Sequence, residues 1–350
     1  MGKATVAVFT LSLVLFAATS APAQPTSAPS DTGPYKISQT FQVGGEGGWD
    51  YITVDPEHKL LYVPRTTHTM VIDAKTGKTV ADILGQQRNH GVALVPSLGR
   101  GFISDGGDAS VTIFDLKTNK VLGKVKADAD ADGIIYDPAS RKVLVVCGDP
   151  GVVIPISPDV DPQTGKADAA VSLDGKPEVL AADGQGKVYI NLEDRNQVAV
   201  VDTKTMKVIN RWPTSPGGAP VGMSMDREHH RLFIGCRNPQ KLIVMNAEDG
   251  KVLTDLPIGA GVDATRFDDG YAFASCRDGT LAVAHEAKSG KFEIIQTVTT
   301  RPGAKTLDVD PTTHLLYLPT AEFGKEMDAR SRPIAKPDSF MVLVVKPPRG

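Results

Sequence analysis

A unit of about 42 residues recurs seven times between Gly47 and the C-terminus. Its landmark is a turn that follows a short apolar run. The second turn residue is Pro56, Pro96, Pro138, Gly184, Arg227, Asp269 and Pro311 in succession, at intervals of 40, 42, 46, 43, 42 and 42. Such a repeat cannot bury its own apolar face and is stable only when stacked on its neighbours.

Each unit reads as four strands. In the first, Trp49–Val54 alternates apolar with polar, Asp55-Pro56 turns the chain, and Lys59–Val63 returns. Thr69–Ile72, the turn Asp73–Gly77 and Thr79–Ile83 complete it. The last two strands recur as Val111–Phe114 with Lys120–Val125, Val198–Val201 with Lys207–Arg211, and Leu242–Met245 with Lys251–Leu256. Their turns offer Asp or Asn first and Gly or Asn late, residues that cap their own backbone and accept positive φ. Short β-runs at even spacing predict an all-β fold, and the period predicts a seven-bladed β-propeller of four-stranded antiparallel blades. The last unit, Thr306–Val309, Leu315–Leu318 and Phe340–Val345, lacks a fourth strand, and Tyr35–Val43 precedes the first unit. Pairing Tyr35–Val43 beside Phe340–Val345 would close the ring and leave no open edge.

Residues 1–23 read as an export signal: Lys3, the apolar run Ala4–Ala18, and Ala21-Pro22-Ala23 at a small-x-small cleavage site. The run is too short to span a membrane comfortably. Residues 24–34 form a Pro/Ser/Thr leader, 35–346 the propeller and 347–350 a tail. A periplasmic or secreted monomer with no membrane insertion after cleavage is expected. Losing Lys3 leaves 37 basic against 41 acidic residues, a net charge of −4. That balance, with few aromatic residues, disfavours a nucleic-acid partner.

The runs VDPEHKLLYVP, YDPASRKVLVV, MDREHHRLFIG and VDPTTHLLYLP, each followed by a segment such as VIDAKTGKTV or VVDTKTMKVI, resemble the YVTN-type, YncE-like family of exported seven-bladed propellers. The resemblance covers about residues 35–346. It implies the fold, and a binding or scaffold role more readily than a catalytic one. The chain departs from that repeat at Ser157–Ala170, which lengthens the third unit's outer hairpin.

The loops entering each first strand, and those joining second to third strands, share one face of such a disc. They vary in chemistry from unit to unit, as binding loops on a rigid scaffold do. Five residues before each landmark turn stand Asp50, His90, Asp132, Glu178, Val221, Asp263 and Lys305. Six of seven are polar, which places charged heads at the channel mouth. Arg65, Arg237 and Arg277 begin second-to-third loops beside them. The set predicts a site for a protein, a peptide or a small ligand; the alternative is a set of Asp–Arg pairs that ties the blades together.

Asp128, Asp130 and Asp132 alternate before Gly133 like the first half of a calcium loop, although Ala139 stands where the bidentate Glu belongs. A divalent cation is therefore considered, against a solvated acidic connection. Cys147, Cys236 and Cys276 occupy matched positions and read as small buried side chains. The loop Ala321–Asp338 overhangs the variable face as a lid, a partner contact or an excursion. Three functions follow: a non-enzymatic binding or scaffold protein; a metal-assisted lyase or lactonase, with Glu178, Asp263 or Asp50 on the ion and His90 moving a proton; and, third, binding of single-stranded nucleic acid.

Overall fold

The computed structural model describes residues 1–2, 33–288, 290–328 and 331–347. Nearly all of the segments expected to form the export signal, the leader and the tail lie outside the described residues. The regular structure of the described chain is almost entirely antiparallel β-strand, arranged mostly in four-strand meanders. In one of them Pro177–Ala182, Lys187–Leu192, Gln197–Asp202 and Lys207–Pro213 lie in chain order, each hydrogen-bonded to the next. Pro220–Asp226 and Val262–Asp268 each begin another such sheet, and Ala131–Asp137 begins a third that ends in the two-residue strand Val171–Ser172.

The first two units are joined into one seven-stranded sheet, because Thr79–Val95 runs on without a break. Its first half pairs with Thr66–Asp73 and its second half with Arg100–Asp105. The expected break after Ile83 is therefore absent, and regular pairing in the first unit begins at Thr53 rather than Trp49.

The landmark turns are held from within. The Asp55 carboxylate accepts the backbone N–H groups of Glu57 and His58; Asp137 accepts those of Ala139 and Ser140, and Asp183 those of Gln185, Gly186 and Lys187. A buried carboxylate that receives two or three such donors repays its desolvation. His58, His229 and His314 each pair Nδ1 with an aspartate at these turns, on the face away from the mouth.

The strand Lys36–Gln42 lies antiparallel to Met341–Lys346, with Ile37 opposite Val345 and Phe41 opposite Val342. The apolar side chains form clusters between successive meanders. One joins Leu144 and Val146 to Leu180, Ala182 and Ile190; another joins Tyr317, Phe340, Val342 and Val344 of the last sheet to Val54, Leu61, Val63 and Ile72 of the first. Asp308 ties the same junction, accepting Arg266 Nε at 2.6 Å and the Val54 N–H at 2.8 Å. The Ser157–Ala170 insertion packs back onto the preceding sheet: Arg100 donates to the Pro158 and Val160 carbonyls at 3.2 and 2.8 Å. Cys147, Cys236 and Cys276 are free and buried, as their spacing suggested. Among the described residues, no helix is long and apolar enough to cross a membrane.

Candidate functional site

The first strands of the meanders converge on an axis and carry the site residues on their leading ends. Lateral hydrogen bonds fix these ends against one another. The Tyr51 N–H donates to the His90 carbonyl at 3.1 Å, Thr306 Oγ1 to the Asp50 carbonyl at 3.0 Å, and Ser275 Oγ to the Lys305 carbonyl at 2.7 Å. Below them a cavity of about 360 Å³ follows the axis, walled by Tyr51, Thr53, Tyr136, Met223 and Arg266 among others.

The residues five places before the landmark turns come together as an arc of ionisable groups. His90 Nδ1 lies 2.7 Å from Asp50 Oδ2 and 3.7 Å from Asp132 Oδ1. Lys305 Nζ donates to Asp50 Oδ1 at 3.2 Å and, more closely, to Asp263 Oδ2. Arg237 bonds the other Asp263 oxygen and reaches Glu193 Oε1 at 3.1 Å. Lys176 Nζ stands 3.3 Å from Glu178 and 3.5 Å from Glu193. Val221 is the apolar exception and is fully buried.

Charge is compensated unevenly along this arc. Burial works against the Asp50 carboxylate, but Lys305 and the His90 hydrogen bond outweigh it and hold its pKa below the ordinary value. Burial likewise opposes protonation of Lys305, and Asp263 and Asp50 overcome it. His90 rises to about 9 against its own burial, because Asp132 and Asp50 face the ring. Asp132 and Glu178 fare differently. Burial, then Asp50, Asp130 and Asp263, push Asp132 up to about 7 despite His90. Burial, the neighbouring Asp132 and a hydrogen bond with Glu193 push Glu178 up to about 8. One sector of the mouth thus consists of salt bridges, and the adjacent sector keeps carboxyl groups that retain protons near neutral pH.

Tyr51 is the group that the sequence reading passed over. Its ring walls the axial cavity, and burial followed by Asp263, Asp132, Asp50 and Glu178 raises its phenol well above its ordinary pKa. Only a hydroxyl standing inside the arc meets carboxylates from all these strands. A signal was present: the matching positions hold Gly91, Gly133, Val179, Gly222, Ala264 and Thr306. Six smaller side chains make room for one tyrosine.

Arg65 is not part of the mouth. Its side chain is 1% exposed and wrapped by the glycine-rich segment before the first unit. The guanidinium donates to the Gly44, Gly45, Gly47 and Gly48 carbonyls at 2.8–3.2 Å and lies 3.8 Å from the centre of the Phe340 ring. A tight turn, with the Arg65 N–H donating to the His68 carbonyl, draws it inward. Arg277 is exposed at the rim as expected, and its guanidinium has no hydrogen bond or ion pair among the described residues.

Asp128, Asp130 and Asp132 do not converge. Asp130 takes a positive φ of 59° and turns to Arg88, Asp128 bonds the adjacent Ala129 N–H, and Asp132 faces His90. The group whose donor atoms do lie within 4.8 Å of one another is Asp50, His90 and Asp132. A proton already serves that group: the imidazole is cationic near neutral pH, hydrogen-bonded to Asp50, with Lys305 on Asp50's other oxygen. A divalent ion would have to displace this proton beside a second cation. Asp263 is likewise occupied by Lys305 and Arg237. Lys305 on Asp50's other oxygen would set a cation beside any ion held by this group, and no metal step is derived from it.

The segment Ala321–Asp338 carries a two-stranded hairpin, Phe323–Met327 with Pro333–Ala335. Phe323 seats it on the mouth, its ring centre 6.1 Å from that of Trp49 at a tilt of 49° and its edge over Gly303, where a Cβ would come within 2.6 Å of the ring. Between hairpin and mouth is a second cavity of about 480 Å³.

No protein-family profile matches the chain, and neither does any curated protein. Solved structures do. A chain of hydrazine synthase from Kuenenia stuttgartiensis superposes with a TM-score of 0.69 at 13% identity, over 85% of this chain and 96% of that one. The β-propeller domain of Cps50 (Swd1) from Myceliophteria thermophila superposes with a TM-score of 0.67 at 10% identity, over 89% and 99%. At such identities the likeness is one of fold, and the fold is a β-propeller.

Proposed function

We propose that this chain is an exported, closed seven-bladed β-propeller that works as a non-enzymatic binding protein. Its channel mouth recognises a cationic group of a protein or peptide ligand. The seven-fold period and the pairing of Lys36–Gln42 with Met341–Lys346 support a closed ring. The N-terminal pattern from Lys3 to Ala23 supports export to the periplasm or beyond the cell, and a mature protein whose mass begins at Gln24 checks it. The resemblance to exported propellers points the same way.

The observation that carries the reading is the sector of Asp132 and Glu178. Both carboxyl groups are buried and hold protons near neutral pH, although His90 Nδ1 lies 3.7 Å from Asp132 and Lys176 Nζ 3.3 Å from Glu178. An ammonium or guanidinium entering above Tyr51 would take the place of those protons and form charge-assisted hydrogen bonds. Lysine and arginine side chains supply such groups on an otherwise adaptable chain.

A peptide array probed with the mature protein tests this. Retained peptides should share a lysine or arginine, and a variant carrying Asp132→Asn with Glu178→Gln should lose them. Retention that is unchanged in the double variant, or no retention above a propeller control, would refute the reading.

A further inference from the structure

The cavity between the Phe323–Met327/Pro333–Ala335 hairpin and the mouth has a chemistry unlike that of the acidic sector. It is bounded by Trp49 and Phe323 on its apolar side, and by Arg277, Lys305 and Arg332 on its charged side. Its acids are already engaged. Asp328 Oδ2 receives Arg332 Nε and Nη2 at 2.8 and 2.7 Å, and Asp50 is bonded by Lys305 and His90. Two donors are not. Arg277 has neither a hydrogen bond nor an ion pair among the described residues, and the buried Trp49 Nε1–H has no acceptor.

The Trp49 Nε1 atom is closed off from solvent, so the unpaired donor open to the cavity is the Arg277 guanidinium. A free guanidinium on the cavity wall favours an acceptor that is anionic and planar, which a carboxylate is. Phosphate fits less well, because the other cations of the wall, Lys305 and Arg332, are already held by Asp50, Asp263 and Asp328, and two aromatic rings and Ile334 face the cavity beside them. Those rings suit an apolar group carried next to the carboxylate.

We propose that this cavity is a carboxylate subsite that takes an acid bearing an adjacent aromatic or branched apolar group. Arg277 pairs with the carboxylate, and Trp49 and Phe323 cover the apolar body. The proposal rests on the reading of the mouth as a ligand-binding face and adds a second pole to it. A ligand with a cation in the acidic sector and a carboxylate under the hairpin would bridge the two. A peptide C-terminus and a small free acid share this chemistry.

The test uses N-acetylphenylalanine and its amide as probes. The chain has two tryptophans, so Trp49 is the sole indole reporter in a Trp212→Phe background. The acid should shift Trp49 emission saturably, in roughly the millimolar range expected for a ligand of this size, and the amide should not. Arg277→Gln, an exposed change, should weaken the acid by about ten- to hundredfold, the loss of one charge-assisted contact. Titration calorimetry on the unmodified protein gives the same comparison should Trp212→Phe disturb the fold.

Acetyl-Ala-Ala-Phe bound far more tightly than N-acetylphenylalanine assigns the subsite to a chain terminus, and equal binding assigns it to a small acid. Equal responses to acid and amide, no saturable response, or an affinity untouched by Arg277→Gln would overturn the proposal. The acid response should survive Asp132→Asn, which separates a failure here from a failure of the acidic sector.

Discussion

Glu178→Gln isolates the cost of ionising a buried carboxyl in the mouth. The Glu178 side chain is 10% exposed, and its pKa is raised from 4.5 to about 8. Between those values the folded protein keeps a proton that the unfolded chain has lost, so stability must fall as pH rises through this window. At 1.36 kcal/mol per pH unit the ceiling is about 5 kcal/mol by pH 8. Lys176 Nζ, 3.3 Å away on a half-exposed side chain, offsets part of that, so we expect about 2–3 kcal/mol. Glutamine has the shape of the protonated acid and never ionises. Wild type and variant should therefore unfold at nearly the same urea concentration at about pH 5. At pH 8 the variant should be the more stable by that amount. A variant less stable than wild type at pH 8, or a difference that is the same at both pH values, would show that Glu178 is well compensated and that its sector has no partner to wait for.

Two further outcomes bear on the scaffold. Arg65→Lys keeps the charge but loses the fork that serves four backbone carbonyls, and should cost about 2–4 kcal/mol in urea unfolding; a change within about 0.5 kcal/mol of zero would mean that the glycine-rich segment does not depend on it. Phe41→Ala removes the largest apolar anchor of the closing strand, a ring packed so closely over Gly77 that a Cβ there would lie 2.3 Å from it. It should cost about 3 kcal/mol and speed hydrogen exchange along Met341–Lys346. Unchanged exchange there would mean that the last sheet holds without its N-terminal strand.

Much of this was legible because a strand repeats its geometry. Once the landmark turn is found, counting back five residues lands on the same end of the same strand in every unit. Asp50, His90, Asp132, Glu178, Asp263 and Lys305 could therefore be placed together from the sequence. Tyr51 needed a different comparison, across units rather than along the chain, to show that its neighbours are small. Arg65 was misplaced because second-to-third loops do not share one geometry: a tight turn at Arg65–His68 folds the side chain under the glycine carbonyls, whereas Arg237 and Arg277 reach the rim. The alternating aspartates failed for a similar reason. A period of two brings side chains to one face only while the backbone stays extended, and Asp130, at φ 59°, breaks it. That Ala321–Asp338 overhangs the mouth followed from its position. That Phe323 would dock it over Gly303 did not, because the contact joins residues from different loops.

The sequence left two readings of the mouth open, ligand contacts or salt bridges between blades, and the geometry divides them by sector. From Asp50 through Lys305 and Asp263 to Arg237, every carboxylate meets a cation from a neighbouring strand. These links join the last unit to the first and the fifth to the sixth, and blade cohesion accounts for them. Asp132 and Glu178 are less fully compensated: His90 and Lys176 lie beside them, yet both carboxyl pKa values stay raised. A pairing network built for stability alone would place a buried cation between two buried acids, or replace one acid with an apolar residue, as Val221 shows that this position tolerates. Instead the Lys176 beside Glu178 is half-exposed and His90 bonds Asp50 more closely than Asp132, which leaves a cost that grows as pH rises. On the proposed function, this cost at the centre of the open face, beside a phenol set inside the arc, is kept for a cation that comes from outside.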